Sequence, residues 1–429
     1  MSQIQIRGGH LIDPANNIDA QQDIFISAGK ISGIGKAPAG FKAEQVIDAK
    51  GLHIIPGLVD LRARLREPGM EHKATIASET AAAAAGGITT LCIPPDTYPV
   101  IDTPAVVELI HRHNEQAGFC RVIPLGALTA GLAGEQISEM QTLKLAGCAG
   151  FSNALMPMQN NQVMRRAMEY AASFDLTLFV HPEDVVLAQN GCVHEGAIST
   201  RLGLAGIPEA AETLAVAQLL ILVEMTGVRL HLCQVSTQRA INMIKRAQHD
   251  GLPISVDVTT HHLHLTDMDI AYFDTNCHVR PPLRTQRDRD GLRQGLKDET
   301  IQVICSDHQP HDLDAKLAPF AESESGISAL ETLLPLSLRL VEDGVLTLSE
   351  TIDRITRQPA MILGLNVGQL GIGSSADVCI YDPAACWTVS ADTLTSRGQN
   401  SPFMGWELKG QVSHTLLAGK LVYQRQTTT

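Results

Sequence analysis

The sequence predicts an α/β protein: a parallel (β/α)8 TIM barrel with a small β domain formed by both chain termini. Three observations lead to this prediction. Eight short apolar runs are spread along the middle of the chain, helix-like segments separate them, and short alternating segments occupy both ends. A barrel of this kind uses about 250 residues, which fits within the 429 of this chain.

The two ends carry the pattern of short strands joined by tight turns. From residue 3 to about 53, segments such as DIFISAGKISGIG alternate apolar and polar positions and are broken by Gly, Asn and Asp. A similar pattern returns from about 370 to 424, in ADVCIYDP and VSHTLLAGKLVYQ. We therefore predict a composite β domain from residues 1–53 and 370–429.

The middle of the chain, residues 54–369, is predicted to be the barrel domain. Helix-like segments include 104–117, 209–226 and 237–250. The eight strand-like runs are IIPGLVDLR, ITTLCIPPD, RVIPLGAL, CAGFSN, LTLFVHPE, RLHLCQVS, PISVDVTTHH and IQVICSDH. Each run ends in polar or titratable residues, and the C-terminal ends of the strands are where a barrel builds its site.

Composition excludes several classes of partner. The net charge is −13 and no long block of Lys or Arg occurs, which argues against nucleic acid and against an anionic membrane surface. The nine cysteines show no CxxC spacing, and the first residues, MSQIQIRGGHLIDP, show no signal-peptide pattern. No apolar run of 18 residues is free of charge. We expect a cytoplasmic protein.

Several long stretches, in order, carry a resemblance to a known family. They are PGLVDL, LREPGMEHKATI, AAAAGGITTL, RLGLAGIPEAAE, RPPLRT, SDHQPH and SPFMGWELKGQV. With these stretches the chain resembles the dihydroorotases of the amidohydrolase superfamily over nearly its whole length. LREPG and the SPF segment favour dihydroorotase over the hydantoinase-type relatives. The resemblance implies a TIM barrel of the amidohydrolase type, although a fold does not by itself carry a function.

The resemblance also implies a zinc site, and this chain departs from it. Family members place two histidines on the first strand, a carboxylate or carbamylated lysine after the fourth, histidines after the fifth and sixth, and an aspartate after the eighth. At these positions the chain has Arg62, Arg64, Asn153, His181, Gln234 and Asp307. Arginine has no acceptor lone pair, and the two amides are neutral. His181 and Asp307 remain as relic ligands, fewer than the three protein ligands that a catalytic zinc takes.

We therefore expect no zinc, no other cofactor and no catalytic residue, with Asp307 only a relic of one. Zinc lowers the pKa of bound water from about 15.7 to about 7, which corresponds to roughly 12 kcal/mol of nucleophile activation. Neighbouring His231 is not expected to replace Gln234, because three residues back on a strand it points to the opposite face.

The substrate-binding positions that the resemblance implies are mixed. Arg66 and His308 match residues that hold the substrate carboxylate in the family, and we treat both as relics. Asp96 and Arg280 stand where the family has asparagine. A negative Asp96 would oppose an anionic substrate by like-charge repulsion.

Three interpretations of the arginines remain open. The first is an internal network in which Arg62, Arg64 and Arg280 pair with Asp307, Asp96 and Glu183. The second is an anion pocket for a carboxylate or phosphate metabolite. The third is a zinc site built from unforeseen ligands.

The leading functional expectation is a non-catalytic dihydroorotase homologue. The chain resembles the inactive dihydroorotase-like subunit that, in certain bacteria, assembles with aspartate carbamoyltransferase in de novo pyrimidine biosynthesis. That resemblance implies a structural and assembly role in the holoenzyme, the aspartate carbamoyltransferase catalytic chain as partner, and self-association as a dimer within a hetero-oligomer. The alternatives are an active cyclic-amide hydrolase with an altered or single-metal site, and a sensor of an anionic metabolite.

Overall fold

The N-terminal segment forms short strands joined by tight turns. The computed structural model describes residues 3–270 and 272–426. Between the fourth and fifth strands the chain reverses through Ala28 and Gly29, both at positive φ, as a two-residue hairpin turn requires. The strands are β1 (Gln3–Arg7), β2 (His10–Asp13), β3 (Ile18–Gln21), β4 (Ile24–Ser27), β5 (Lys30–Ile34), β6 (Gln45–Asp48) and β7 (His53–Pro56).

The middle of the chain alternates strands and helices. In chain order they are β8 (Leu58–Asp60), α1 (Ile76–Ala85), β9 (Ile88–Ile93), α2 (Pro104–Ala117), β10 (Arg121–Pro124), β11 (Gly126–Ala127), α3 (Met140–Ala146), β12 (Phe151–Ser152), α4 (Asn161–Ser173), β13 (Thr177–Val180), α5 (Val185–Ala188), β14 (Val193–His194), α6 (Ala197–Leu202), β15 (Gly206–Ile207), α7 (Glu209–Thr226), β16 (Arg229–Leu232), α8 (Gln238–His249), β17 (Ile254–Thr259), α9 (Gln286–Lys297), β18 (Val303–Cys305), α10 (Leu333–Glu342), α11 (Leu348–Ile355) and α12 (Arg357–Leu363).

All of these strands except β14 and β15, which pair with each other, form the predicted parallel barrel. Its order is β8, β9 and β10, then β11, β12, β13, β16, β17 and β18. Each of the eight predicted runs contains a strand, and the third run is divided into β10 and β11. The predicted helices at 104–117 and 209–226 coincide with α2 and α7, and α8 falls within 237–250. The barrel closes through a parallel bridge between Ala63 and His308, beyond the ends of β8 and β18.

The C-terminal segment returns to the N-terminal strands. It forms β19 (Val378–Thr388), β20 (Glu407–Leu417) and β21 (Lys420–Gln424). β19 pairs with β7, so that one six-stranded sheet runs β21, β20, β19, β7, β2 and β3. Strands from both chain ends therefore share a sheet, as the sequence pattern predicted. The first two and last three residues of the predicted β domain lie outside the described residues.

An ion pair between a half-buried arginine and a buried aspartate joins the β domain to the barrel. Arg121, at the start of β10, contacts both carboxylate oxygens of Asp377, at 2.5 and 3.1 Å. Asp377 is almost fully buried and also accepts the backbone N–H of Ala418, 2.8 Å away. This carboxylate therefore holds the first strand of the C-terminal segment against the barrel.

Most of the cysteines lie in the interior of the protein, as small apolar residues do. Eight of the nine cysteines are buried, and Cys386 is exposed. Across residues 3–270 and 272–426, no helix combines the length and the apolar character needed to cross a membrane.

Candidate functional site

The C-terminal ends of β8 and β18 bring Arg62, Arg64 and Asp307 together at the mouth of the barrel. Between the two arginines, the Ala63 N–H donates to the carbonyl oxygen of Cys92 and the Arg64 N–H to that of His308. The backbone is thereby fixed between β9 and the segment after β18. Because Arg62 and Arg64 are two residues apart, their side chains leave this extended segment on the same side.

Arg62 lies against Asp307 in the interior. Its Nε is 3.3 Å from Oδ1 of Asp307, and both side chains are exposed by only 2–3%. Burial disfavours the charged form of Arg62, but the Cys233 sulfur and the carboxylates of Asp307 and Asp96 outweigh it and raise the pKa of the guanidinium. Arg62 is therefore a permanent cation at the mouth of the barrel.

Arg64 connects Asp307 to Asp96. Its Nε and Nη2 lie 2.9 and 2.8 Å from Oδ2 of Asp96, and its Nη1 lies 3.6 Å from Oδ1 of Asp307. Burial raises the pKa of Asp96, but the guanidinium groups of Arg64 and Arg62 lower it below its ordinary value. For Asp307 burial prevails, and its pKa is raised although both arginines oppose this. The network expected for these residues is present.

Arg280 pairs with Glu183 on the far side of the mouth. The Arg280 Nε lies 3.0 and 3.1 Å from the two carboxylate oxygens, and Nη2 contacts the same carboxylate. His181 is the other neighbour, with Nε2 3.9 Å from Glu183, too far for a hydrogen bond. Burial raises the pKa of Glu183, but His181 and Arg280 outweigh it and lower the value to about 2.

Asn153 uses its whole side chain to hold the neighbouring loops. Its Oδ1 accepts hydrogen bonds from the backbone N–H and the hydroxyl of Thr129, at 3.2 and 2.9 Å. Its Nδ2 donates to the carbonyl oxygens of Leu132 and Met156, at 3.4 and 3.3 Å. A carboxylate at this position would lose both donors and face two carbonyl oxygens. Asn153 is therefore a loop clamp, and its amide suits that role better than an acid would.

Gln234 adopts a left-handed backbone conformation just after β16, with φ of 55°. Its N–H donates to Oδ1 of Asp257, 2.6 Å away. Among the described residues, neither atom of its side-chain amide has a hydrogen-bond partner. Gln234 thus places a buried, neutral amide where a zinc site would need an imidazole or an anionic ligand.

A second group of atoms that could bind a metal, which was not predicted from the sequence, lies at β16 and β17. His231, Cys233 and Asp257 offer donor atoms that all lie within 4.8 Å of one another. Both imidazole nitrogens are already engaged, with Ser255 at 2.8 Å and Asp257 at 2.9 Å. A ring with both nitrogens hydrogen-bonded has no free lone pair for a metal. The available signal was the alternation of polar residues, with His231 and Cys233 at and just after the end of β16 and Ser255 and Asp257 in β17.

His308, which the resemblance groups with Arg66 at the carboxylate site of the family, contacts Glu79 and not Arg66. The His308 Nδ1 accepts the N–H of Ala329 at 3.0 Å, so Nε2 carries the proton and donates to Glu79, 2.9 Å away. Both side chains are fully buried. His308 is turned toward α1 because this buried carboxylate and the Ala329 N–H occupy both ring nitrogens.

Arg66 instead contacts His311, the second histidine of SDHQPH. The Arg66 Nη2 is 3.0 Å from Nε2 of His311, whose Nδ1 lies 3.3 Å from Nζ of Lys73. Burial and the nearby Arg66 charge lower the pKa of His311 to about 2, so it stays neutral. Burial and Arg64 lower the pKa of Arg66 to about 10.

The cavity beside these residues is small. Arg64, Arg66, Asp96 and Tyr98 help to line a space of about 20 Å³. That is room for one water molecule, whereas small-molecule sites measure at least about 300 Å³. The space beside Arg64 and Arg66 is therefore too small for a metabolite.

Comparison with known proteins agrees with this architecture. A family described as dihydro-orotase-like matches residues 51–240. A "Dihydroorotase-like protein" of Pseudomonas aeruginosa is 49% identical over 98% of this chain and 99% of its own length, and one of Pseudomonas putida is 48% identical over the same shares. A "Dihydroorotase" of Geobacter metallireducens is 44% identical, again over 98% and 99%.

The chain belongs to the dihydroorotase-like family. Solved structures extend the likeness in fold. L-hydantoinase (dihydropyrimidinase) from Arthrobacter aurescens superposes with a TM-score of 0.88 at 23% identity, covering 100% of this chain and 97% of that one. D-hydantoinase from Thermus sp. gives 0.83 at 23%, covering 99% and 97%. The barrel of this dihydroorotase-like protein is thus of the amidohydrolase type, with a terminal β domain.

The zinc that the resemblance implies does not fit the residues of this dihydroorotase-like protein. Oδ1 of Asp307, a retained ligand position, already faces both arginine guanidiniums. A divalent cation there would stand next to two permanent positive charges. His181 keeps both ring nitrogens without a hydrogen-bond partner in the described part of the chain. One imidazole and one compensated carboxylate fall short of a zinc site.

Arg62→Met tests the buried ion pair. This change keeps most of the side-chain volume but leaves Asp307 without its main partner, so we expect a loss of about 3–5 kcal/mol in the free energy of unfolding. The double variant Arg62→Met/Asp307→Asn should be clearly more stable than Arg62→Met alone. Urea unfolding of both variants measures this, with Arg112→Met, in an exposed pair on α2, as control. Equal stability of the two variants would contradict the pairing.

The low pKa of Glu183 predicts how the stability of the protein changes at acid pH. Its pKa is about 2 in the folded chain, below the ordinary value of 4.5, so its stabilising contribution is complete above about pH 5 and decreases as the pH falls toward 2. Glu183→Gln should therefore lose less stability between pH 5 and pH 3 than the unsubstituted chain, by on the order of 1–3 kcal/mol. Urea midpoints across this range measure the difference. Exposed Glu108→Gln is the control, and identical pH profiles for all three proteins would refute the assignment.

Proposed function

We propose that this protein is a non-catalytic dihydroorotase homologue that serves as a structural and assembly subunit of the aspartate carbamoyltransferase holoenzyme in de novo pyrimidine biosynthesis. The observation that carries the proposal is the contact of Arg62 and Arg64 with Asp307. Protein guanidiniums occupy the place where the resemblance implies zinc. We propose the cytoplasm as its location and the aspartate carbamoyltransferase catalytic chain as its partner.

Loss of catalysis follows from the chemistry of the site. Without zinc, the reaction lacks roughly 12 kcal/mol of nucleophile activation. Asp307, the carboxylate left nearest to the expected metal position, is ion-paired and buried. Asp307 in that state is not free to act as a base toward the single water molecule that the adjacent space could hold. We therefore propose that the protein has neither a catalytic residue nor a cofactor.

A structural role is supported by the way the replaced residues are used. Arg64 forms an ion pair with Asp96, and Arg280 forms one with Glu183. Asn153 makes four hydrogen bonds to the neighbouring loops. A site that had merely decayed would leave such charges unpaired, at a cost of several kcal/mol each. The charged side chains at the barrel mouth are instead paired, which stabilises the fold. A stable fold is what we expect if selection maintains a surface for assembly.

The alternatives receive less support from the geometry. A metabolite sensor needs a pocket, and the space beside Arg64 and Arg66 measures about 20 Å³. A single-metal hydrolase would have to coordinate the metal through Asp307, which faces two arginines. Neither alternative explains why Arg64 pairs with Asp96, two residues that both depart from the resemblance.

Metal content and turnover test the catalytic part of the proposal. Purified protein should hold well under one zinc per chain and should not interconvert dihydroorotate and carbamoyl aspartate, with or without added zinc. Elemental analysis and a direct assay measure this. The variant Arg62→His/Arg64→His/Asn153→Asp/Gln234→His is the matched comparison, because it restores the implied ligands. Stoichiometric zinc with turnover in the unsubstituted chain would refute the proposal.

Co-expression with the aspartate carbamoyltransferase of the same organism tests the assembly role. We expect one complex of larger mass than either protein alone, measured by size-exclusion chromatography with light scattering. Arg62→Met, which alters only the interior, should assemble in proportion to its folded fraction. Two separate species at every mixing ratio would reject the scaffold role.

A further inference from the structure

The lower end of the barrel, opposite the mouth that holds Arg62, contains a cavity of about 610 Å³. This lower cavity lies between helix α12 and the N-terminal ends of β13, β16 and β17. Small-molecule sites measure about 300–1,000 Å³, so the lower cavity has the size of such a site, whereas the space beside Arg64 does not. Room for a ligand is therefore found at the end of the barrel away from the arginine network.

The inner wall of the lower cavity is apolar and fixed by the core. Leu230 of β16 is 1% exposed, Ile254 of β17 is 8% exposed, and Leu363 at the end of α12 is 3% exposed. All three belong to the buried clusters of the barrel, so the wall keeps its shape without a ligand. At the rim, Met361 is 59% exposed, and a flexible methionine there can pack against an apolar ligand.

The lining carries one net positive charge in a chain whose net charge is −13. Among the described residues, Lys144 and Arg229 are its cations and Asp175 is its carboxylate. Nη1 of Arg229 lies 3.1 Å from Oδ1 of Asp175, so these two charges compensate each other. Nζ of Lys144 lies 3.5 Å from the carbonyl oxygen of Ala149 and pairs with no carboxylate in the described chain. Lys144 is therefore available to a small anion.

Two glutamine side chains add hydrogen-bond acceptors to the lining. Nε2 of Gln248 donates to the carbonyl oxygens of Ile254 and Thr300, each at 3.1 Å. Nε2 of Gln358 donates to Oδ2 of Asp353 at 2.7 Å. Neither Oε1 accepts a hydrogen bond from another of the described residues. An N–H or O–H group of a ligand would satisfy these oxygens.

A second cavity, of about 780 Å³, lies in the β domain and has a different character. Turn residues such as Gly29, Ser374 and Gly419 form much of its lining, and Ile4 and Leu421 are its larger apolar side chains. Small-molecule sites are mostly apolar and contain a few polar groups. The lower cavity matches that description better than the β-domain cavity does.

We propose that the lower cavity is a binding site for a small aromatic or heterocyclic anion that carries an N–H or O–H group. The apolar wall contacts the ring, Lys144 pairs with the negative group, and the oxygens of Gln248 and Gln358 accept from the donor. The site goes beyond the proposed function and does not rest on it. Its test uses the purified chain alone, so a failure here leaves the assembly proposal standing.

Fluorescence titration with 8-anilinonaphthalene-1-sulfonate tests the site, because this probe combines aromatic rings, an N–H group and a sulfonate. N-phenyl-1-naphthylamine, which lacks only the sulfonate, is the matched neutral probe. The unsubstituted protein should bind one sulfonate probe per chain. The dissociation constant should be on the order of 10–100 µM, as is usual for a ligand of about 21 non-hydrogen atoms.

Three variants locate the bound probe. Lys144→Met should weaken binding of the sulfonate probe about three- to fivefold and leave the neutral probe unchanged, because it removes an exposed charge. Lys420→Met, which removes a lysine that lines the β-domain cavity, is the matched control and should change neither affinity. Thr177→Trp should weaken binding of both probes at least about tenfold, because Thr177 lines the lower cavity and an indole would occupy it.

Folding of the variants is checked by circular dichroism melting. If Thr177→Trp does not fold, Met361→Glu replaces it, since this exposed rim position should tolerate the change and the added negative charge should weaken the sulfonate probe about three- to fivefold. The absence of saturable binding overturns the inference, as does unchanged affinity in Lys144→Met. A loss of affinity in Lys420→Met that Lys144→Met does not show also overturns it, because the probe would then lie in the β domain.

Discussion

The pairing of Arg62 with Asp307 is the interaction on which the rest of the barrel mouth depends. It crosses the seam where the first and last barrel strands meet, and there, within residues 3–270 and 272–426, the backbone pairs through the bridge between Ala63 and His308. Side chains close the remainder of this seam. Asp60 accepts the N–H of Ser306 at 3.0 Å and also contacts its hydroxyl, and burial raises the pKa of Asp60 to about 7. A barrel whose closing strands share so few backbone hydrogen bonds needs such cross-links.

The seam is continuous with the C-terminal β domain through Glu79. This buried carboxylate of α1 accepts hydrogen bonds from His308, from the Ser396 hydroxyl at 2.6 Å and from the Arg397 N–H at 3.2 Å. Burial opposes its charged form, but His308 and Ser396 outweigh it and lower the pKa of Glu79. One carboxylate therefore joins the first barrel helix, the segment after the last strand and the chain that leads into β20.

Much of the fold and of the site could be predicted from the sequence, because the spacing of apolar residues indicates which positions are buried. Eight apolar runs indicated eight strands, and arginine at two of the four replaced ligand positions indicated cations where the resemblance implies a metal. What periodicity does not report is which way a buried polar side chain turns. His308 and His311 are equally polar in SDHQPH, and only the positions of Glu79 and Arg66 in space decide which of them faces the barrel mouth. The same holds for Asn153, whose four partners come from loops with no regular pattern.

An arginine guanidinium, which is covalently part of the polypeptide, differs from a bound ion in one practical respect: it cannot dissociate. Proteins that draw a structural cation from solution change shape when chelators or scarcity remove it, and they compete with other proteins for supply. Arg62 is synthesised with the polypeptide and keeps its charge at any physiological pH. The ion pair at the barrel mouth therefore forms in every chain that folds, whatever the supply of zinc around it.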